Sequence, residues 1–398
     1  MAPPWPIEIA MVMAYAIVIP LLESPKAILT IAIILSWCCR ILFLERQTAP
    51  FGSLELAGLA RVAAVFASAF YGAYLFGDWG GLSNINHDLL LVAFFVLMPR
   101  AGYGDRPARL ILAAIVVGSI AAVASLLIWP DHPSAVDMAI LSLRNANITA
   151  FYLALTSAVT LGFLVQSIKN RHWLAVAVFA GILIAQYAGI AFTGSRAGAV
   201  MALVGALVVP VLGFGWRRAL PAVLLLFAIA AITALSFESR IVLRLSDGLG
   251  ENFLTYRDLM WVCGWNAFLG SPLLGYGAEN LTFASQELFA SGQGCSLITG
   301  NSHNFLLNVM VETGLIGTAA LLWLVYEVAR RLWAARLVKG RSFVVWASGV
   351  AGLCQVAVAG LVDEVVASEP NLVLGLMVGL AIAFVRPAEV PDRSGNKL

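Results

Sequence analysis

Apolar runs of membrane-span length, punctuated by short charged turns, recur along the whole of this sequence. A helix needs roughly 20 mainly apolar residues to cross about 30 Å of hydrocarbon. On that measure the pattern predicts twelve spans: 7–22, 26–44, 54–76, 89–98, 110–129, 148–167, 173–192, 197–214, 219–237, 305–328, 343–361 and 371–385. The fourth is short unless it begins near Leu82, which draws His87 and Asp88 into it. Glu8 stands at the edge of the first, and Arg61 lies inside the third. One long polar stretch, 238–304, interrupts the series between the ninth and tenth spans.

Composition sharpens this picture. Of 398 residues, 61% are hydrophobic and 12% charged, with mean hydropathy +0.90. Soluble domains carry about 25% charged residues, so the chain reads as an all-α, polytopic membrane protein of one integral domain, 1–398. The net charge of +2 and the absence of a basic run give no reason to expect a nucleic-acid partner. Met1 to Pro6 has no cationic n-region and the first apolar run leads straight into the second, so no cleavable leader is expected.

Charge distribution orients the spans. With an even number of spans and both termini in the cytoplasm, 17 of the 24 basic residues fall on the cytoplasmic side. That is the bias membrane insertion imposes. It places the 238–304 loop on the opposite face, with Lys26, Arg144, Arg196, Arg240, Arg244 and Arg257. Cations are disfavoured there, so each invites a reason.

Arg196 sits in a very short turn, FTGSRAGAV, between two apolar runs, and its head must stay near the membrane surface. An interfacial anchor with a snorkelling stem is the plain alternative to a functional role. Residues 251–269 predict an amphipathic helix, with Leu254, Trp261, Trp265 and Phe268 on one face and Arg257 at its edge. Such a helix suits the headgroup region and contact with membrane lipids. His303 stands just before the tenth span, whose first turns carry Asn304, Asn308 and Glu312 as a stripe. Nine helical residues cover roughly 13 Å, so Glu312 lies below the surface and must face protein or a wet cavity. Cys263 and Cys295 share the outer loop, and whether they pair is left open by the sequence.

Arginines and one histidine at an outer membrane face fit chemistry on an anionic lipid. Arginine binds phosphate bidentately and keeps its charge. A histidine with one unprotonated nitrogen can take a proton from a hydroxyl near neutral pH. The sequence has only four histidines and no metal-ligand spacing, so no metal and no other cofactor is expected. Arginine would then neutralise a departing diphosphate. Glycosyl transfer from a lipid diphosphate meets this description.

Three motifs carry a resemblance. TGSRAG at 193–198, YRDLMWVCGWNAFLGSPLLGYG at 256–277 and SHNFLLNVMVETGLIG at 302–317 resemble, in this order, the signatures of the O-antigen ligase/polymerase family of bacterial inner membranes. The resemblance implies a GT-C-like, inverting, metal-independent glycosyltransferase whose donor is a glycan on undecaprenyl diphosphate. Arg196 and Arg257 would bind the donor diphosphate, and His303 would be the base that activates the acceptor hydroxyl. Glu312 would support the helix or orient His303. Arg240 and Arg244 match no motif and enter as donor contacts on charge alone; Asn304 is a further binding candidate. Asp363 and Glu364, beyond the eleventh span, are candidates for acceptor contact or an alternative base. The acceptor stays open: lipid A–core for a ligase, another lipid-linked repeat for a polymerase and, ranked third, a protein. A lipid-linked-glycan transporter would also need outer arginines, but calls for repeated halves or paired broken helices.

Overall fold

The computed structural model describes residues 5–41, 52–77, 79, 85–128, 146–219, 256–292, 294–338, 341–364 and 368–384. Among them the regular structure is helical throughout. In chain order the helices are α1 (Pro6–Val18), α2 (Glu23–Cys39), α3 (Ser53–Phe76), α4 (Asn86–Ala101), α5 (Asp105–Ile128), α6 (Ala146–Lys169) and α7 (Trp173–Thr193). There follow α8 (Arg196–Phe214), α9 (Arg257–Gly270), α10 (Leu281–Ala290), α11 (Phe305–Ala335), α12 (Phe343–Ala359) and α13 (Ser368–Ile382). Six of them, α3, α5, α6, α7, α8 and α11, are long and apolar enough to cross a membrane; α1, α2, α12 and α13 are shorter apolar helices. The ninth expected span, 219–237, lies outside the described residues save its first residue, as do Arg240 and Arg244.

Lipid tails are as apolar as leucine, so helices in a bilayer associate through close packing and polar contacts. The central helix, α6, follows this rule: most of its residues are buried. Small residues let its neighbours approach, with Gly198 of α8 against Ala150, Gly189 of α7 against Leu153, and Gly162 of α6 itself against Val344. Polar side chains link the same layers. Gln186 donates to Ser119 and Thr156, and Gln355 donates to the carbonyls of Ala154 and Met201.

Buried ion pairs gather several helix ends at one end of the bundle. Glu8 in α1 accepts from Arg40 after α2 and from Tyr103 before α5. Glu55 at the start of α3 pairs with Arg100 of α4 and Arg331 of α11, while Glu327 holds Arg330 and Ser53. The start of α12 joins them, the Ser342 amide donating to Asp105 at 2.6 Å. These ends alternate along the chain as up-and-down helices require. The start of α4 takes in Asp88, and Asp88 pairs with Arg61 of α3.

Candidate active site

At the opposite end, α12 stops at Ala359 and leaves carbonyls that no further helical turn can satisfy. Three incoming donors take them up. The Phe305 amide donates to the Gly360 carbonyl at 2.8 Å and the Asn304 side-chain amide to Leu361 at 3.0 Å. Arg257 Nη1 donates to Val362 at 2.7 Å, a placement that the negative end of a helix favours. The start of α11 and the start of α9 are thereby docked on the same few residues.

Asp363 follows directly and is only 4% exposed. Its Oδ2 accepts from Arg257 Nη2 at 3.0 Å, and its Oδ1 lies 2.9 Å from His303 Nδ1. Asn147 of α6 and the Glu364 amide donate to it as well. A carboxylate on Nδ1 selects the tautomer protonated there and leaves the lone pair on Nε2. His303 itself is a third exposed.

The backbone of His303 is held in an uncommon state, with φ +49°. Its amide donates to Asn301 Oδ1 at 2.6 Å, and Asn308 donates to the same oxygen at 3.1 Å. Asn308 Oδ1 in turn accepts from the Ser302 amide and hydroxyl. Asn304 caps α11, accepting from the Leu307 amide. The side-chain amide of Asn301 also donates to Glu364, whose carboxyl is pushed above its usual range by burial, with Asn308 and His303 acting in the opposite direction. Among the described residues no group of three His, Cys, Asp or Glu side chains is placed to hold a metal ion.

The helix expected over 251–269 begins at Arg257, since Tyr256 adopts φ +62°; Leu254 lies outside the described residues. Its stripe is divided. Phe268 and Trp261 pack with Leu281, Leu307 and Val311 in a small second core, while Trp265 stays exposed. A disulfide, Cys263–Cys295, answers the question left open by the sequence and ties α9 to the segment that runs into His303. Closing a loop of this size stabilises a fold by roughly 2–4 kcal/mol. Reduction, or the pair Cys263→Ser with Cys295→Ser, is therefore expected to lower both the thermal midpoint and activity. A fluorescence melt run beside a turnover assay checks this, and unchanged values in both would refute it.

Arg196 is the first residue of α8 and is half-buried. The rest of its motif is occupied with geometry: Gly194 ends α7 at φ +68°, Ser195 Oγ accepts from the Gly198 amide, and Gly198 sits on Ala150. Asn147, one turn before Ala150 on α6, is the residue that reaches Asp363. Arg196 thus comes to the same end of the bundle through α6. The Glu312 carboxylate accepts from the Glu279 amide at 3.1 Å. The carboxylate on His303 is Asp363.

Fold and site together describe a helical, polytopic membrane protein with a histidine, a carboxylate and an arginine joined at one end of the bundle. A family model described as O-Antigen ligase matches residues 179–322, the same family that the three sequence motifs resemble. The match supports placing the chain in the O-antigen ligase family and spans Arg196, Arg257 and His303, with Asp363 outside it. No curated protein matches the chain.

Proposed function

We propose that this protein is a glycosyltransferase of the O-antigen ligase type, acting on the periplasmic face of a bacterial inner membrane. It moves a glycan from undecaprenyl diphosphate to an acceptor hydroxyl, lipid A–core in the preferred reading. The observation that carries this is the Asp363 carboxylate bridging His303 Nδ1 and Arg257. A base held in one tautomer beside a phosphate-binding cation is what such a displacement needs.

In the reaction, the acceptor oxygen attacks the anomeric carbon from the face opposite the diphosphate. The acceptor proton passes to His303 Nε2 as the new carbon–oxygen bond forms. The bond to the diphosphate breaks, and its electrons leave on an oxygen that Arg257 and Arg196 neutralise. One displacement inverts the anomeric centre. Arg257 serves this while bound to Asp363 and Val362, because a guanidinium has five N–H donors and these contacts use two. Arg240 and Arg244 remain donor contacts by charge, and Asn304 and Glu312 binding candidates.

The orientation has its own support. A disulfide in the 238–304 loop suits an oxidising compartment, and the basic excess suits a cytoplasmic location for the far end. Twelve spans in a GT-C-like arrangement, with that loop between the ninth and tenth, complete the proposal.

The test uses purified protein in detergent with EDTA, no ATP and a synthetic undecaprenyl-diphosphate glycan, offering lipid A–core and a second lipid-linked repeat separately. Product on lipid A–core is expected. A ladder on the lipid-linked acceptor makes it a polymerase. Transfer to neither, with glycan crossing a proteoliposome membrane, replaces the enzyme by a transporter.

A further inference from the structure

The sequence VETGLIGTAA reads as uninterrupted helix, yet α11 is broken at Gly314, where φ is +60° and ψ −168°. A helix would pair the Val311 carbonyl with the Leu315 amide and the Glu312 carbonyl with the Ile316 amide. Both pairs are split, and the segment Pro272–Gly277 enters between them. Tyr276 and Gly277 amides donate to Val311 and Glu312, each at 2.9 Å. Leu315 and Ile316 amides donate to Pro272 and Leu273. Ser68 of α3 adds a hydroxyl to the Glu312 carbonyl. A Cβ on Gly314 would sit 2.2 Å from the Leu273 oxygen, so only glycine fits there. Irregular backbone at membrane depth is stable where protein satisfies it, as here.

One charged group spans the break. Arg61 is 2% exposed in the middle of α3, an expensive position for a charge. Its Nε and Nη2 hold Asp88 at 2.8–3.0 Å. Its Nη1 donates at 3.0 Å both to Thr313 Oγ1, above the break, and to the Gly317 carbonyl, below it. The upper piece, Phe305–Thr313, carries the cap that presents His303. It is tied at its top to the end of α12, and at its foot to the inserted segment and Arg61.

We propose that Arg61 is a positioning residue: held on Asp88, it pins the two halves of α11 across the break and so sets where the half-helix 305–313 presents His303. Its effect on turnover rests on the glycosyl-transfer reading; its effect on the half-helix does not. A displacement of about 1 Å at a reacting group can lower a rate by about a hundredfold.

The experiment compares wild type with Arg61→Gln, Arg61→Lys and Asp88→Asn, using peptide-resolved hydrogen exchange and steady-state transfer kinetics. Arg61→Gln is expected to speed exchange in peptides covering 271–279 and 305–317 by at least about tenfold, with α6 unchanged. It lowers kcat by about a hundredfold and leaves the donor KM within about threefold. Lysine restores part of both, and Asp88→Asn falls between. Should Arg61→Gln fail to fold, Arg61→Lys and Asp88→Asn carry the same pattern at smaller amplitude. Wild-type exchange in those peptides, or kcat and KM changing together without it, overturns the proposal. An inactive wild type with the exchange pattern intact overturns the glycosyl-transfer reading and leaves the positioning of the half-helix standing.

Discussion

Replacing His303 with alanine is expected to lower kcat by about a hundred- to ten-thousandfold while leaving the donor KM near the wild-type value. General-base catalysis contributes on that scale. The ring is anchored through Nδ1 on Asp363, so the nitrogen that acts is Nε2, and it acts only on the acceptor proton in flight. An interaction made only in the transition state is lost from kcat and kcat/KM equally. The fold is expected to survive, because what holds this corner together is the backbone of His303, its amide on Asn301 and the Asn304 cap, none of which needs the imidazole. Steady-state kinetics with a melt on the same preparation checks both halves. A His303→Ala enzyme with wild-type kcat would remove the base from the mechanism.

Arg257 carries the second large effect, and of a different kind. Arg257→Ala is expected to lose about a hundred- to a thousandfold in kcat, the scale for one donor to a developing anion, and to weaken donor binding as well. The structure adds a reason for poor rescue by lysine. Arg257 spans the Val362 carbonyl and the Asp363 carboxylate with separate nitrogens, a fork that an ammonium on a flexible stem cannot reproduce. Arg257→Lys therefore restores little turnover, though it keeps the charge. Measuring donor KM beside kcat separates the two roles. Full activity in Arg257→Lys would show that charge alone suffices there.

How much of this was legible in the sequence depended on whether the signal was local. Span positions came through because hydropathy accumulates over twenty neighbours, and α3, α6, α7 and α8 lie within a few residues of the expected bounds. Arg257 and His303 stood out because charge in an apolar chain is conspicuous. Asp363 is conspicuous for the same reason, but its place on His303 depends on α12 ending beside the start of α11, a tertiary fact. The charge inside the third span and the awkward start of the fourth looked like two separate oddities. Arg61 and Asp88 are one ion pair, invisible until two helices meet. The break at Gly314 left the least trace, since a lone glycine in an apolar run is commonplace and its partners lie some forty residues earlier, at Pro272–Gly277.

The most direct test of the central claim, that His303 acts as a base set by the Asp363 carboxylate, is a double-mutant cycle on His303→Ala and Asp363→Asn, read as single-turnover transfer rates. Asparagine keeps the shape of Asp363 but presents an amide that favours the wrong imidazole tautomer, so the single variant is expected to lose about a hundredfold or more. If Asp363 acts through His303, the double variant falls no further than His303→Ala alone, within about threefold. Losses that multiply instead would mean that the two residues act independently, and the base would no longer be a histidine set by this carboxylate.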